Sequence, residues 1–282
     1  MPSPRLHIRP AALALGLSWL LGLTAIAQSS SGRMPSPPQS APPDALALVE
    51  KVAARLASYP ELESWRARAS STSSRMASDW RPISVVSAEK IVTVDGAFWS
   101  EEILSATETA KGRTRDITEK LRTEARENAA KQRRSSADER KADQKRRGRR
   151  SLDMAREEIF PFGPERRSGY DFTVEGPSDL DGAPVVLLRS RSRVRSDDRL
   201  EGLYFVDPAT HDVRRAELTL AKVPAPLKRM EIELDFEVLP EGYHMMTKAV
   251  MRIHVDVIIK NIRVEAVETY GDFKWGEGKA GS

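Results

Sequence analysis

Four carboxylates stand at every second position between Glu231 and Glu237: Glu231, Glu233, Asp235 and Glu237. Such a row could hold a cation. On one face of a strand, however, side chains two apart are separated by about 6.5–7 Å, which is wide for a single ion. The row therefore reads as a solvated sheet face, paired to Arg and Lys of neighbouring strands. His7 lies in an apolar leader, His211 in a turn, and His244 and His254 in or beside one strand. No pair of them has the spacing of helical metal ligands, and His254 falls on the polar, solvated side of its strand. Ser87-Ala88-Glu89-Lys90 matches the Ser-x-x-Lys of some acyl-enzyme families. That chemistry needs a helical turn to bring Lys beside Ser, and this segment reads as strand. Asp179-Leu180-Asp181-Gly182 opens like a calcium loop, yet Pro184 and Val185 follow and no Glu fills the twelfth position, so a plain turn is the better reading. There is no Cys, which excludes disulfides, thiol catalysis and Cys-based metal sites. No Gly-x-Ser-x-Gly elbow or phosphate-binding Gly loop is present. These residues point to no enzyme, metal or cofactor.

The elements that carry them are mostly strands. From Arg229 to Leu239, Met230, Ile232, Leu234, Phe236 and Val238 alternate with the four carboxylates. A period of two puts the apolar side chains on one face, whereas a helix would scatter them round its circumference. Pro240-Glu241-Gly242 is a turn. Beyond it Met251, Ile253, Val255 and Val257 alternate with Arg252, His254 and Asp256. After Lys260-Asn261, Ile262, Val264 and Ala266 alternate with Arg263, Glu265 and, less strictly, Glu268. Strands are also expected at Gly202–Val206, Val213–Leu220, Tyr170–Val174 and Pro184–Arg195, and around Trp65–Ala69. Val85–Val94 and Ala97–Leu104 form a hairpin about Asp95-Gly96. Short turns between such strands imply antiparallel pairing with one dry face. That face must be covered by helices, a second sheet or a ligand. Asp44 can cap a helix to about Ser58, with Leu48, Val49, Val52 and Leu56 on one side; Leu152–Phe162 is a second candidate cover.

Charge is uneven along the chain. Lys111 to Arg150 holds sixteen Lys and Arg against seven Asp and Glu, a net of +9, so the chain's formal +4 leaves −5 for the remainder. Ile117, Leu121 and Ala125 give it a thin apolar stripe, and it reads as a partly helical, solvated excursion from one domain spanning 44–275. It has no aromatic residue for stacking on bases, which argues against nucleic acid. An anionic membrane surface or an acidic envelope protein suits it better, and a solvated arm with no specific partner fits the charge equally well. Residues 1–27 read as a signal peptide: Arg5 and Arg9, an apolar run from Ala11 to Ala25, then Ala25-Ile26-Ala27 as the cleavage site. The alternative is an uncleaved inner-membrane anchor. Either way the body is exported, and a periplasmic location is expected. Residues 28–43 form a Pro/Ser-rich linker and 276–282 a tail.

One segment has a familiar pattern. Gly202-Leu203-Tyr204-Phe205-Val206-Asp207-Pro208-Ala209-Thr210 leads into Val213-Arg214-Arg215-Ala216-Glu217-Leu218. The acidic alternating strand follows, then Pro240-Glu241-Gly242-Tyr243 and a long hairpin closing on Tyr270-Gly271-Asp272-Phe273. This resembles the outer-membrane lipoprotein-sorting superfamily, which includes the periplasmic lipoprotein carrier, its outer-membrane acceptor and related sigma-factor regulators. The likeness extends over Asp44–Trp275 in order of elements and is specific over Gly202–Phe273; the basic excursion departs from the compact carriers. The resemblance implies a mainly β fold with α: an open antiparallel half-barrel whose concave face is covered by helices. It also implies binding of acyl chains or lipoproteins without catalysis.

On that reading Met230, Ile232, Leu234, Phe236, Met251, Ile253, Val255, Ile262 and Val264 face a cavity that buries an acyl chain. Periodicity reports the dry face and not what fills it, so the same residues also fit a plain core beneath the helices. A second reading makes the half-barrel a scaffold and the basic excursion the docking element.

Overall fold

The computed structural model describes residues 43–60, 62, 64–95, 98–143, 159–257 and 260–276. Helix α1 (Pro43–Ser58) is followed by strands β1 (Ser64–Met76), β2 (Pro82–Asp95), β3 (Phe98–Ala110) and β4 (Arg113–Asp116). Helix α2 (Thr118–Asp143) comes next, then a short α3 (Pro164–Arg167). Seven strands complete the fold: β5 (Tyr170–Leu180), β6 (Ala183–Ser192), β7 (Leu200–Val206), β8 (Val213–Leu220), β9 (Leu227–Val238), β10 (His244–Val257) and β11 (Lys260–Trp275). The leader, the linker up to residue 42, Gly96, residues 144–158 and the tail beyond Gly276 lie outside the described residues.

All eleven strands join one sheet in the order β4-β3-β2-β1-β11-β10-β9-β8-β7-β6-β5. Neighbours in space are neighbours in sequence except at β1–β11, where the first strands meet the last. Strands β4 and β5 end the order without pairing to each other, so the sheet is open: a mainly β, antiparallel half-barrel with helices.

One face can be followed across ten strands by directly opposed residues. Ala106 of β3 faces Ala88, which faces Ser71, then Glu268, Ala249, Leu234, Ala216, Tyr204, Leu188 and Val174. Opposed residues in antiparallel strands share a face, so this row defines the inner side. Helix α1 covers much of it. Its positions Ala45, Val49, Val52 and Leu56, spaced by three and four, are buried together with Phe160, Phe162, Tyr204, Leu234 and Met251. Each large apolar side chain sealed there is worth about 1.5–3 kcal/mol against exposure. The helix begins at Pro43, so Asp44, expected to cap it, lies within its first turn. Proline suits a first helical turn, whose N–H groups have no intrahelical partner. Helix α2 covers the other end, where Ile117, Leu121 and Ala125 pack on Ala88, Ile103 and Ala106.

The turn between β7 and β8 ties α1 to the sheet. Asp207 accepts hydrogen bonds from the backbone N–H of Ala209 and Thr210 through Oδ1, which shapes the turn. His211 takes a left-handed φ of 62°, and the chain then turns Asp212 inward. There the buried carboxylate receives Arg55 Nε at 2.7 Å and the Tyr59 hydroxyl. Burial works to raise the pKa of Asp212, but the hydrogen bonds from Arg55 and Tyr59 prevail and hold it below the usual carboxylate range. Tyr59 also stacks on His244, whose other side stacks on Phe236.

Two predictions follow from this packing. A Cβ added at Gly202 would stand 2.0 Å from the Glu217 carbonyl oxygen and 2.9 Å from Leu218 Cα. Gly202→Ala should therefore cost about 1–3 kcal/mol or more in urea denaturation, because the obstacle is backbone. Gly271→Ala, with nothing within 4 Å of its added Cβ, should change stability little. Asp212→Asn should cost about 1.5–3 kcal/mol at neutral pH, the scale of a charged hydrogen bond. A depressed folded pKa gives stability that is present above the unfolded value, near 3.9, and lost as pH falls through the folded one. The gap between parent and Asp212→Asn in thermal melts should accordingly close on acidification below about pH 4.

Candidate functional site

The nine residues expected to line a cavity are divided by the structure. Met230, Ile232, Leu234, Phe236 and Met251 are buried in the core beneath α1 and Phe160. Ile253 is half-buried against that core. Val264 is buried but lies outside it, and Val255 and Ile262, opposite each other, are half-buried. Register keeps all of them on the inner face: Ile232 faces Met251, Met230 faces Ile253, Ile253 faces Val264.

The outer face holds the charges. Asp235 meets Arg215 Nε at 2.5 Å, Lys248 Nζ stands 3.6 Å from Asp235 and 3.7 Å from Glu233, and Arg252 Nε meets Glu265 at 2.7 Å. The carboxylate row is a paired sheet face, as its spacing implied. His254 is on this face too, opposite Arg263 and Arg229. It is not simply solvated: its Nε2 is buried without a hydrogen-bond partner.

The charged excursion forms β4 and α2. An open pocket of about 730 Å³ lies at their junction, lined by Leu104, Ile117, Arg115 and Arg122 among others. Its arginines are already engaged. Arg115 pairs with Glu108, while Arg122 pairs with Glu119 at 2.6 Å and donates to the Ile103 and Leu104 carbonyls.

A polar cluster that sequence reasoning missed lies on the inner face. Lys90 Nζ is 2.6 Å from Glu101 Oε1 and 2.6 Å from Glu268 Oε1, and the three side chains are 3%, 5% and 6% exposed. They come from β2, β3 and β11. Glu101 and Lys90 belong to one hairpin, and β1 sets Glu268 beside them, with Ser71 opposing both Ala88 and Glu268. Burial would pull the Lys90 ammonium down, but the charges of Glu268 and Glu101 outweigh it and hold it above its ordinary value. Burial pushes Glu101 up more than Lys90 pulls it down. Tyr270, next on the same face, is raised well above the usual phenol range by burial and by the charges of Glu268 and Glu101. Among the described residues, the buried Oε2 of Glu101 finds no hydrogen-bond donor. Trp65, Trp99 and Tyr270 pack with Ala69, Val92 and Val94 in the same region.

The signal for this cluster was available. Strict period two places Glu268 with Ile262, Val264 and Ala266, so its assignment to the polar side was wrong: it is 4% exposed on the inner face. Lys90 likewise shares the parity of the buried Ala88, Val92 and Val94. The Ser87–Lys90 segment is strand, as read, and makes no Ser–Lys helical pair.

No protein-family profile matches the sequence, and no curated protein is significantly similar to it. Among solved structures the chain is similar to a DUF1329 family protein from Desulfovibrio piger, at 12% identity and a TM-score of 0.34, over 84% of this chain and 94% of that one. It is similar to a LolA superfamily protein from Nitrosomonas europaea at 11% identity and a TM-score of 0.35, over 83% and 94%. The lipoprotein LppX of Mycobacterium tuberculosis matches at 9% identity and a TM-score of 0.23, over 84% and 97%.

The cluster makes a stability prediction. Lys90→Met leaves two buried carboxylates without their cation and should destabilise by about 3–5 kcal/mol at neutral pH. Burial already raises the folded pKa of Glu101 and Lys90 lowers it, so without Lys90 it rises further, and the deficit should shrink as pH falls toward about 4 and Glu101 protonates. Adding Glu101→Gln and Glu268→Gln should restore most of the loss in guanidinium denaturation.

Proposed function

We propose that the protein is an exported, non-enzymatic binding protein that holds an acyl chain of a lipid or lipoprotein against the inner face of β10 and β11. One observation carries this reading. The apolar face continues past the core sealed by α1, through Ile253 and Val264 to the half-buried pair Val255 and Ile262. Met230, Ile232, Leu234, Phe236 and Met251 form the packed base beside it. The leader read in the sequence directs the protein to the envelope, where such ligands occur.

The driving force is burial of methylenes. Each CH₂ removed from water is worth about 0.8 kcal/mol, so a dozen offer roughly 10 kcal/mol before costs. Association and ordering consume an amount of the same order, about 4–15 kcal/mol. A long-chain ligand thus binds with moderate, reversible affinity, which suits a carrier.

The test is displacement of a fluorescent fatty acid. Val255→Asp and Ile262→Asp should each weaken binding about tenfold or more, because each places a charge where methylenes would lie. Ile83→Asp, at a position 47% exposed on β2, should leave binding unchanged. Leu234→Asp is unsuitable, since Leu234 is sealed in the core and its change would unfold the protein. Absence of binding by the parent, or binding indifferent to both inner-face variants, would sink the proposal.

A further inference from the structure

We infer that the buried polar cluster is the head-group end of that same binding face, and that it accepts a primary ammonium group attached to the acyl ligand. This rests on the acyl-binding reading above and specifies its ligand. Along β11 the inner positions run Ile262, Val264, Ala266, Glu268, Tyr270: an apolar strip that ends in a carboxylate. From Ile262 to Glu268 the strand rises about 20 Å, the reach of an extended chain lying along it. A tail on the strip therefore brings its polar end to Glu268 and Glu101.

The chemistry of the cluster selects the group. Two carboxylates share one ammonium, that of Lys90, so the formal charge of the three is −1 in a place almost closed to water. A buried net charge is costly unless it is paired. The buried Oε2 of Glu101 has no donor among the described residues. A ligand ammonium supplies both the missing charge and the missing N–H. The rings of Trp65, Trp99 and Tyr270 are half-buried in the same region, and aromatic faces favour a desolvated cation. A carboxylate or phosphate is disfavoured, because Lys90 is already engaged by two carboxylates and the entering anion would meet Glu101. A hydroxyl would fill the orphan acceptor but leave the charge unbalanced.

The test is calorimetric titration of the full chain at neutral pH. The probes are decylammonium, decanol, decanoate and ethylammonium, each below its micelle-forming concentration. The parent should bind decylammonium about tenfold or more tightly than decanol or decanoate, the scale of one charge-assisted hydrogen bond. Ethylammonium, which lacks the tail, should bind more weakly still. Glu101→Gln should abolish the preference for decylammonium over decanol. If Glu101→Gln does not fold, the ratio of amine to alcohol in the parent still decides. Equal binding of all three ten-carbon probes would overturn the head-group assignment and keep the acyl site. Ethylammonium binding as tightly as decylammonium would mean a free-amine site unconnected to the apolar strip, against this inference. Failure of every probe would overturn the acyl-binding reading and this one with it.

Discussion

The inner face of the sheet has to be dry, and most of the structure follows from meeting that requirement. An open sheet of eleven strands presents one continuous side, and small or apolar residues occupy most of the row that crosses it from Ala106 to Val174. No strand can bury this side alone. Helix α1 and the Phe160–Phe162 segment seal the part over β5 to β10, and the first turns of α2 seal the part over β2 and β3. The Asp212 contacts with Arg55 and Tyr59 matter because they fasten α1 to the sheet. Gly202 matters because strand β8 comes too close there for any side chain.

The ends of the sheet are handled by other means. An unpaired edge strand invites pairing with another chain. At one end β4 is only four residues long, all exposed, in the charged sequence Arg113-Thr114-Arg115-Asp116. At the other, β5 carries Gly176 at φ 117° where its register with β6 shifts, followed by Pro177. A short charged edge and a bulge with proline both blunt further pairing. The outer face is protected by its density of ion pairs. These are partly exposed and individually weak, so they serve solubility and register more than stability.

The Lys90, Glu101 and Glu268 cluster is the exception to the dry inner face, and it is energetically demanding. Desolvating three charges costs several kcal/mol each, and the attraction between them offsets this only with good geometry. The two contacts at 2.6 Å supply that geometry. Among the described residues one carboxylate oxygen remains without a donor. The cluster lies where the apolar strip of β11 ends, so the strip and the polar locus are parts of one surface.

The sequence by itself determined most of the strands, most of their faces and their turns, but not the four-residue β4 inside the charged excursion. Alternation in Met230–Val238 and Met251–Asp256 names the inner and outer residues correctly, because side-chain period in a strand is a local property of the backbone. The carboxylate row was legible as a paired outer face for the same reason, and the stripe of α1 as a helix facing a core. Only the tertiary structure decided which stretch of the inner face α1 seals and which it leaves half-open at Val255 and Ile262. Only it brought Lys90 and Glu101 beside Glu268, across the β1–β11 junction that joins residues near 70 to residues near 268. Local periodicity says which way a side chain points. The partner it meets depends on the register of strands distant in sequence, and that register is set by how the whole inner face packs.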